Sequence, residues 1–267
     1  MRRSLVFGAV VAVALVDLVP LALVLKQAFT PEGESVAWPP TWVPHTLTLE
    51  NFRAVAAAVD LWPALARSGI VAVLTVALTL ALVVPAGLVA RRLARTDRAL
   101  DAVLVLTRVM PSIALAVPLA ALFVRAGLYN QPAGFGLVLA HTLTALPLGY
   151  LVARGGLRAV PPDVEEAALL DGATPARVAL HVTLPIARPA LGAAAMLVFL
   201  LSWDEFAYAL LLQVTNRSLP PLLYYFAAFG HPGLASAVAA IMLGPALAIV
   251  LVLEPTLRGG VVAGSGR

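Results

Sequence analysis

Residues 158–188 read RAVPPDVEEAALLDGATPARVALHVTLPIAR, a sequence that predicts a helix, a sharp turn and a second helix. Asp163 is followed three residues later by Glu166 in the form of a capping box, so the first helix is predicted to begin at Val164. Gly172 supplies the left-handed residue that ends this helix. The segment is therefore predicted to be ordered and not a plain linker.

The second helix of this segment is predicted from Thr174, an N-cap residue followed by Pro175 at the first helical position. Pro185 is predicted to stop it, because a proline disfavours helix in the residue before it. One side of the first helix carries mostly small residues that a partner can approach closely: Val164, Ala167, Ala168 and Asp171.

The composition places this segment in a membrane protein. Hydrophobic residues make up 61% of the 267 residues, charged residues make up 12%, and the mean hydropathy is +0.95. A helix needs about 20 apolar residues to cross a bilayer core about 30 Å thick. Six stretches qualify, which predicts an all-α integral membrane fold: Leu5–Phe29, Ser68–Ala90, Ala102–Val124, Pro132–Ala153, Pro189–Leu212 and Pro232–Leu253.

The first of these spans has an alternative interpretation. The apolar run between Arg3 and Asp17 has the proportions of a signal-peptide core, so a cleaved signal is the alternative to a retained helix. Apolar residues resume from Leu18 to Leu25, and no small-x-small cleavage pattern follows the run cleanly. The retained helix is therefore favoured.

Basic residues predict the orientation. With the amino terminus inside, the short inner loops and termini hold most of the 18 Lys and Arg residues, as the positive-inside rule requires. The predicted protein is a multi-pass protein of a bacterial-type cytoplasmic membrane with both termini cytoplasmic. Its predicted domains are the first transmembrane helix (1–29), an extracytoplasmic loop (30–65), a transmembrane domain (66–256) and a cytoplasmic tail (257–267).

Missing residue types exclude several functions. The chain has no cysteine, which removes disulfides, thiolate metal sites and cysteine nucleophiles. Its single lysine, Lys26, lies in an apolar context, so no phosphate-binding loop of the GxxxxGK[ST] form is present. The four histidines are scattered and form no HExxH pattern, which argues against a membrane-embedded enzyme and predicts no catalytic or metal site.

The segment 158–188 resembles the EAA loop of binding-protein-dependent ABC importer permeases. That pattern is EAA, three residues, Gly, nine residues, Ile, one residue and Leu-Pro. The matching residues are Glu166, Ala167, Ala168, Gly172, Leu184 and Pro185, with Asp171 and Ala173 extending the match. The isoleucine position departs to Val182. A secondary transporter, the rival class, would predict inverted repeats or proton-relay residues in the spans.

The resemblance implies a type I ABC importer permease of six transmembrane helices, whose first loop helix is a coupling helix seated in an ATPase subunit. Glu166 and Asp171 would pair with bases of that subunit, and Gly172 would be needed for the turn. The implied partners are a second permease subunit in a heterodimer, two ATPase subunits, an extracytoplasmic solute-binding protein and the lipid bilayer. No nucleic acid is implied, and ATP and Mg would be bound by the ATPase subunits, with no cofactor in this chain.

The run from Met110 through Asp171 and the Gly-rich tail from Leu257 also resemble the carbohydrate branch of these permeases, of the maltose and glycerol-phosphate type. The implied cargo is a sugar or related solute, and a polyamine or another small organic solute is the alternative. In this family the outer loop Gln213–Pro232 contacts the binding protein. Its Tyr224 and Tyr225 fit docking or an interfacial aromatic belt equally well.

The fifth predicted span carries Trp203, Asp204, Glu205 and Phe206, a motif that also resembles the sugar permeases. A charge at a helix centre costs about 2.5–3.5 kcal/mol on insertion scales, so neither acid is expected to face lipid. Since neighbours on a helix point about 100° apart, one acid can face the pathway while the other pairs with an adjacent helix or subunit. Trp203, Phe206 and Tyr208 could stack on a sugar; the alternative is that the motif locks a subunit interface or lines an aqueous mouth.

Overall fold

The computed structural model describes residues 2–39, 41–58, 60–91, 104 and 110–264, and the regular structure of these residues is helical. A π-helical turn, Ala179–Thr183, lies directly before the helix that begins at Leu184. The helices are α1 (Arg2–Ala28), α2 (Glu32–Ser35), α3 (Glu50–Ala57), α4 (Leu61–Ala90), α5 (Ser112–Ala126), α6 (Phe135–Arg158), α7 (Pro162–Leu170), α8 (Pro175–Val178), α9 (Leu184–Trp203), α10 (Ala207–Leu212), α11 (Leu219–Ala228) and α12 (Pro232–Gly264).

Long apolar helices confirm the membrane fold class. Among the described residues, five helical segments are long and apolar enough to cross a bilayer: Val6–Ala28, Leu61–Ala90, Phe135–Arg158, Pro175–Trp203 and Pro232–Val252. Each overlaps one predicted span. The remaining predicted span, Ala102–Val124, lies partly outside the described residues, and its described part falls mainly in the 15-residue helix α5. The count of six spans therefore stays a prediction.

The chain divides into two compact units. One comprises Met1–Leu65 with Ser218–Pro245, and the other comprises Ala66–Arg217 with Ala246–Arg267. The EAA-like loop and the acidic motif both belong to the second unit.

The second unit is built on close contacts between α4, α6 and α9. At Gly149 of α6, a Cβ atom would lie 2.9 Å from Thr79 Cγ2 on α4 and 3.3 Å from Val198 Cγ2 on α9. At Gly156 it would lie 2.1 Å from Ala190 Cβ on α9. Small residues at membrane helix crossings let the backbones approach closely. Because α6 and α9 flank the EAA-like loop, this packing fixes both of its ends.

The first unit orders the segment that follows α1. Asn51, buried at the start of α3, donates from Nδ2 to the carbonyls of Ala28 (3.0 Å) and Thr30 (2.8 Å). The Glu34 carboxylate accepts hydrogen bonds from Thr41 Oγ1 (2.9 Å) and from the His45 amide (3.0 Å). These side-chain bonds order the segment between α1 and α3.

Candidate functional site

Helix α7 begins earlier than the sequence suggests. Pro161 is extended (φ −62°, ψ 130°) and Pro162 occupies the first helical turn, so the helix starts at Pro162. The prediction of a capping box at Asp163 with a start at Val164 is wrong, because the two prolines supply the boundary and Asp163 already lies inside the first turn. Its carboxylate near the helix N-terminus is still favourable for the helix dipole.

Gly172 closes α7 as predicted, with φ +85°. The Ala173 amide donates to the Ala168 carbonyl at 3.0 Å, and the Gly172 amide donates to the Leu169 carbonyl at 3.0 Å. These two bonds are the Schellman arrangement, which needs a left-handed residue four positions after Ala168. The spacing between the EAA triplet and its glycine therefore has a local physical cause.

The chain then returns to the membrane as one helical segment. Thr174 Oγ1 accepts the Arg177 amide at 3.3 Å, which confirms the predicted cap. The prediction that Pro185 stops this helix is wrong: Pro185 lies in the first turn of α9, directly after the π-helical turn. The wider turn changes the register of the backbone hydrogen bonds ahead of the proline, which has no amide to donate.

Leu184, in the Leu-Pro pair of the loop, is packed against the membrane helices. Leu184 packs against Leu157, Val160 and Ala187, which are buried where α6 ends and α9 begins. The two ends of the loop are thus joined by an apolar cluster at the base of the loop. Apolar packing therefore adds to the covalent chain in holding the loop to α6 and α9.

The outward face of α7 is open. Glu166, Ala167 and Asp171 are exposed, and Ala168 is half-buried. Leu170 is 89% exposed, an unusual state for a leucine that ends a helix in a loop outside the apolar spans. Within the part of the chain that the structure describes, no hydrogen bond or ion pair engages the side-chain carboxylate of Glu166.

The acid beside it, which the sequence analysis passes over, points the other way. Glu165 is half-buried and pairs with Arg91, the residue after α4: Nη1 lies 2.9 Å from Oε1, and Nη2 lies 2.8 Å from Oε2. The Thr183 hydroxyl of the π-helical turn also donates to Oε1. No local pattern could have paired residues this far apart, although adjacent acids on a helix must diverge.

The fifth predicted span is not continuous to Leu212. Helix α9 ends at Trp203, and α10 begins at Ala207. The cause is Glu205, whose carboxylate accepts the amides of Tyr208 (2.9 Å) and Ala209 (3.3 Å) and so starts a new helix. Hydropathy alone does not register such a side-chain cap.

His141 on α6 lies beside the break between α9 and α10 and contacts residues on it. Its Nδ1 lies 2.8 Å from Ser202 Oγ, and its Nε2 lies 3.4 Å from Glu205 Oε2. The two acids point apart, although they lie between helices and not on one continuous helix: Glu205 turns inward, and Asp204 is exposed. We name the group Asp204, Glu205, Phe206 and His141 the span-break cluster.

The aromatic neighbours are placed differently from the prediction of a sugar platform. Trp203 is only 5% exposed and stacks on Phe199 at 5.6 Å between ring centroids. Tyr208 is fully buried in the apolar core. Stacking on a sugar is therefore wrong for these two rings, since their faces are occupied, whereas Phe206 is 37% exposed.

A second polar group that the sequence patterns do not predict lies in the same unit, around Asn130. Asn130 has a left-handed backbone (φ 52°); its Oδ1 accepts the amides of Thr215 (3.1 Å) and Asn216 (3.2 Å), and its Nδ2 donates to Thr215 Oγ1 at 2.7 Å. We name these three residues the outer clasp. It holds the connection after α10 to the loop between α5 and α6. The described residues include no cluster of acids and histidines suited to a metal ion.

Known proteins match almost the whole chain. Residues 83–254 match the family described as binding-protein-dependent transport system inner membrane component. The sulfoquinovosyl glycerol transport system permease protein SmoH of Agrobacterium fabrum is 30% identical over 252 residues, covering 92% of this chain and 88% of that protein. The trehalose transport system permease protein SugB of Mycobacterium tuberculosis is 31% identical over 233 residues, covering 84% and 83%.

A solved structure matches the fold. It is a chain of a bacterial ABC transporter involved in the import of the acidic polysaccharide alginate, with a TM-score of 0.74 and 19% identity, covering 96% of this chain and 98% of that one. At that identity the likeness is one of fold.

Proposed function

The chain belongs to the family of binding-protein-dependent transport system inner membrane components, and we propose that it forms half of the translocation pathway of an ATP-driven importer for a carbohydrate or glycoside. The names of the relatives support this cargo class: one is a permease for a sulfoquinovosyl glycerol and another a permease for trehalose. The acidic and aromatic motif of the sugar-permease type points to the same class.

The observation that carries the coupling role is the open face of α7. Glu166, Asp171 and Leu170 are exposed there, while Glu165 and Leu184 hold the loop to the membrane helices. A helix with two exposed acids and an exposed leucine suits a basic, partly apolar cleft. In this proposal the cleft belongs to a separate ATPase subunit, which binds ATP and Mg.

The remaining partners follow from the same proposal. The importer contains a second permease subunit, two ATPase subunits and an extracytoplasmic binding protein, and both termini of this chain lie in the cytoplasm. The aromatic helix α11 (Leu219–Ala228), whose Tyr224 and Tyr225 are exposed, faces the binding protein. Asp204 and Phe206 face the pathway or the second permease subunit, because the acid is exposed next to a partly exposed ring.

To test this proposal, the chain is reconstituted in liposomes with its ATPase, second permease and binding protein. ATP hydrolysis is measured with the binding protein offered trehalose, maltose or spermidine. Stimulation by a sugar supports the proposal, stimulation by spermidine alone replaces the cargo class, and no stimulation by any solute overturns the importer assignment.

The coupling role has its own variant pair. A valine at Gly172 must adopt φ +85°, a strain of about 1–2 kcal/mol, and should abolish ATP-coupled transport while the chain still inserts. Gly127 is the matched control, because it also has positive φ (+67°) and open space around an added Cβ, but it ends α5, away from the loop. Equal loss of transport in Gly127→Val and Gly172→Val would show general destabilisation and refute the coupling role.

A further inference from the structure

Arg91 and Glu165 form a polar bond between two elements that the chain does not connect directly. Arg91 follows the last residue of α4, and Glu165 lies on the second turn of α7. The guanidinium makes two parallel hydrogen bonds to the carboxylate, at 2.9 and 2.8 Å, with side chains only 15% and 18% exposed. Bidentate arginine–carboxylate pairs are strong and directional.

Thr183 adds a third element to this bond. Its side chain is buried in the π-helical turn that leads into α9, and its hydroxyl donates to Glu165 Oε1. A single carboxylate on α7 therefore engages the end of α4 and the turn before α9. We name Arg91, Glu165 and Thr183 the inner clasp.

The inner clasp affects which transmembrane helices move when α7 is displaced. The loop is covalently continuous with α6 and α9 but not with α4. Apolar packing attaches α4 to α6, for example at Gly87, where a Cβ would lie 2.7 Å from Leu157 Cδ1. Apolar packing is non-directional and permits sliding, whereas a bidentate pair with fixed hydrogen-bond geometry resists it.

We infer that Arg91, Glu165 and Thr183 are positioning residues that make α4 move with the coupling helix, so that ATP-driven motion reaches a third transmembrane helix. This inference rests on the proposed function, because it needs α7 to be the element that the ATPase moves. In this inference Glu165 acts by binding Arg91 at the end of α4, whereas Glu166, the next residue, is exposed.

The test uses neutral variants in the reconstituted importer. Arg91→Gln and Glu165→Gln remove one charge each, and transport per ATP hydrolysed is expected to fall about tenfold, within the usual range of about 5–150-fold for coupling between sites. Arg91→Lys should be intermediate, because lysine keeps the charge without the bidentate geometry. Thr183→Ser should be near wild type and Thr183→Val should be impaired, because only serine keeps the hydroxyl.

The decisive measurement is the ratio of transport to ATP hydrolysis at unchanged assembly and thermal midpoint. A merely structural clasp would lower the midpoint and the yield of the complex together, leaving the ratio of the assembled importer intact, and that result would overturn the inference. The charge-exchanged pair Arg91→Glu with Glu165→Arg should recover part of the ratio lost by either single change. No recovery, with both singles impaired, would also count against a direct pair.

Glu166→Gln separates this inference from the proposed function. On the proposed function it weakens ATPase docking, so it should reduce stimulated ATP hydrolysis itself. A normal ratio in Glu165→Gln beside an impaired Glu166→Gln would defeat the inner clasp alone. Normal behaviour in Glu166→Gln and Gly172→Val would instead remove the coupling role on which the inference depends.

Discussion

Replacing Gly156 with alanine tests the crossing of α6 and α9 that holds the two ends of the loop. The added Cβ would lie 2.1 Å from Ala190 Cβ and 3.5 Å from Ala190 Cα. Ordinary contact begins near 3.4 Å, so the two helices would have to move apart by about 1.3 Å at this point. Overpacking of this kind costs about 1–3 kcal/mol. Alanine also has the higher helix propensity, which offsets up to about 1 kcal/mol of that cost.

The neighbouring residue provides the control for the propensity gain. Gly155 lies on the same helix with nothing within 4 Å of its added Cβ, so Gly155→Ala makes the same chemical change without the clash. The difference between the two variants therefore isolates the helix crossing. At about 2–4 °C per kcal/mol, the thermal midpoint of Gly156→Ala should lie several degrees below that of Gly155→Ala.

The assay is thermal unfolding in detergent at one fixed scan rate, because membrane proteins often unfold irreversibly. The absence of cysteine also allows a cysteine pair, engineered into α6 and α9, to report their separation without background. Equal midpoints and equal cross-linking for the two alanine variants would refute the close crossing. The same result would show that the crossing of α6 and α9 does not hold the base of the loop rigidly.

Two further predictions concern polar contacts outside the EAA-like loop. Asn130→Ala removes the acceptor of the Thr215 and Asn216 amides and the donor to Thr215 Oγ1, at a cost of about 1 kcal/mol for each bond, so proteolysis at residues 213–217 should quicken. Asn130→Asp keeps the acceptor, and the Thr215 hydroxyl can donate to its carboxylate, so cleavage of this variant should stay near wild type. Unchanged cleavage in the alanine variant would contradict the outer clasp. Burial raises the pKa of Glu34, but hydrogen bonds from the His45 amide, Thr41 and the His45 ring outweigh it and leave the pKa below 4.5. Since the folded-state pKa of Glu34 is lowered, its carboxylate stabilises the loop above pH 4.5, and this stabilisation is lost as the pH falls through the folded-state pKa. Measured by hydrogen exchange, the amides of the loop should be better protected in wild type than in Glu34→Gln at neutral pH, and this difference should shrink in acid. A difference in protection that stays constant from neutral pH to pH 3 would contradict the stabilising role of the carboxylate.

Local chemistry explains which parts of the loop were predictable from sequence. The left-handed Gly172 and the Thr174 cap depend on residues within one turn of each other, and both are found as expected. Pro185 was misjudged because a proline that ends an isolated helix can be accommodated by a π-helical turn ahead of it. The start of α7 was misjudged for a related reason, since Pro162 competes with Asp163 for the boundary.

Tertiary contacts explain the rest. The partner of Glu165 lies 74 residues earlier in the chain, and hydropathy cannot connect an arginine at the end of one span with a loop acid. The end of α9 at Trp203 depends on where the Glu205 carboxylate turns, which is decided by His141 and by the free amides of α10. In both cases the residue type was visible, and its direction was not.

A similar arrangement of adjacent acids occurs at two places in the second unit. In each pair one carboxylate is satisfied inside the chain, Glu165 by Arg91 and Glu205 by backbone amides, and its neighbour is exposed, namely Glu166 and Asp204. On α7, where adjacent helical positions diverge by about 100°, the inward Glu165 fixes the direction of Glu166. Asp204 and Glu205 lie in the break between α9 and α10, where the bonds of Glu205 to the amides of α10 hold this carboxylate inward. An exposed acid with a fixed direction loses less conformational entropy when a partner binds it. Changes to the inward acids should therefore weaken the action of the outward acids without touching any partner.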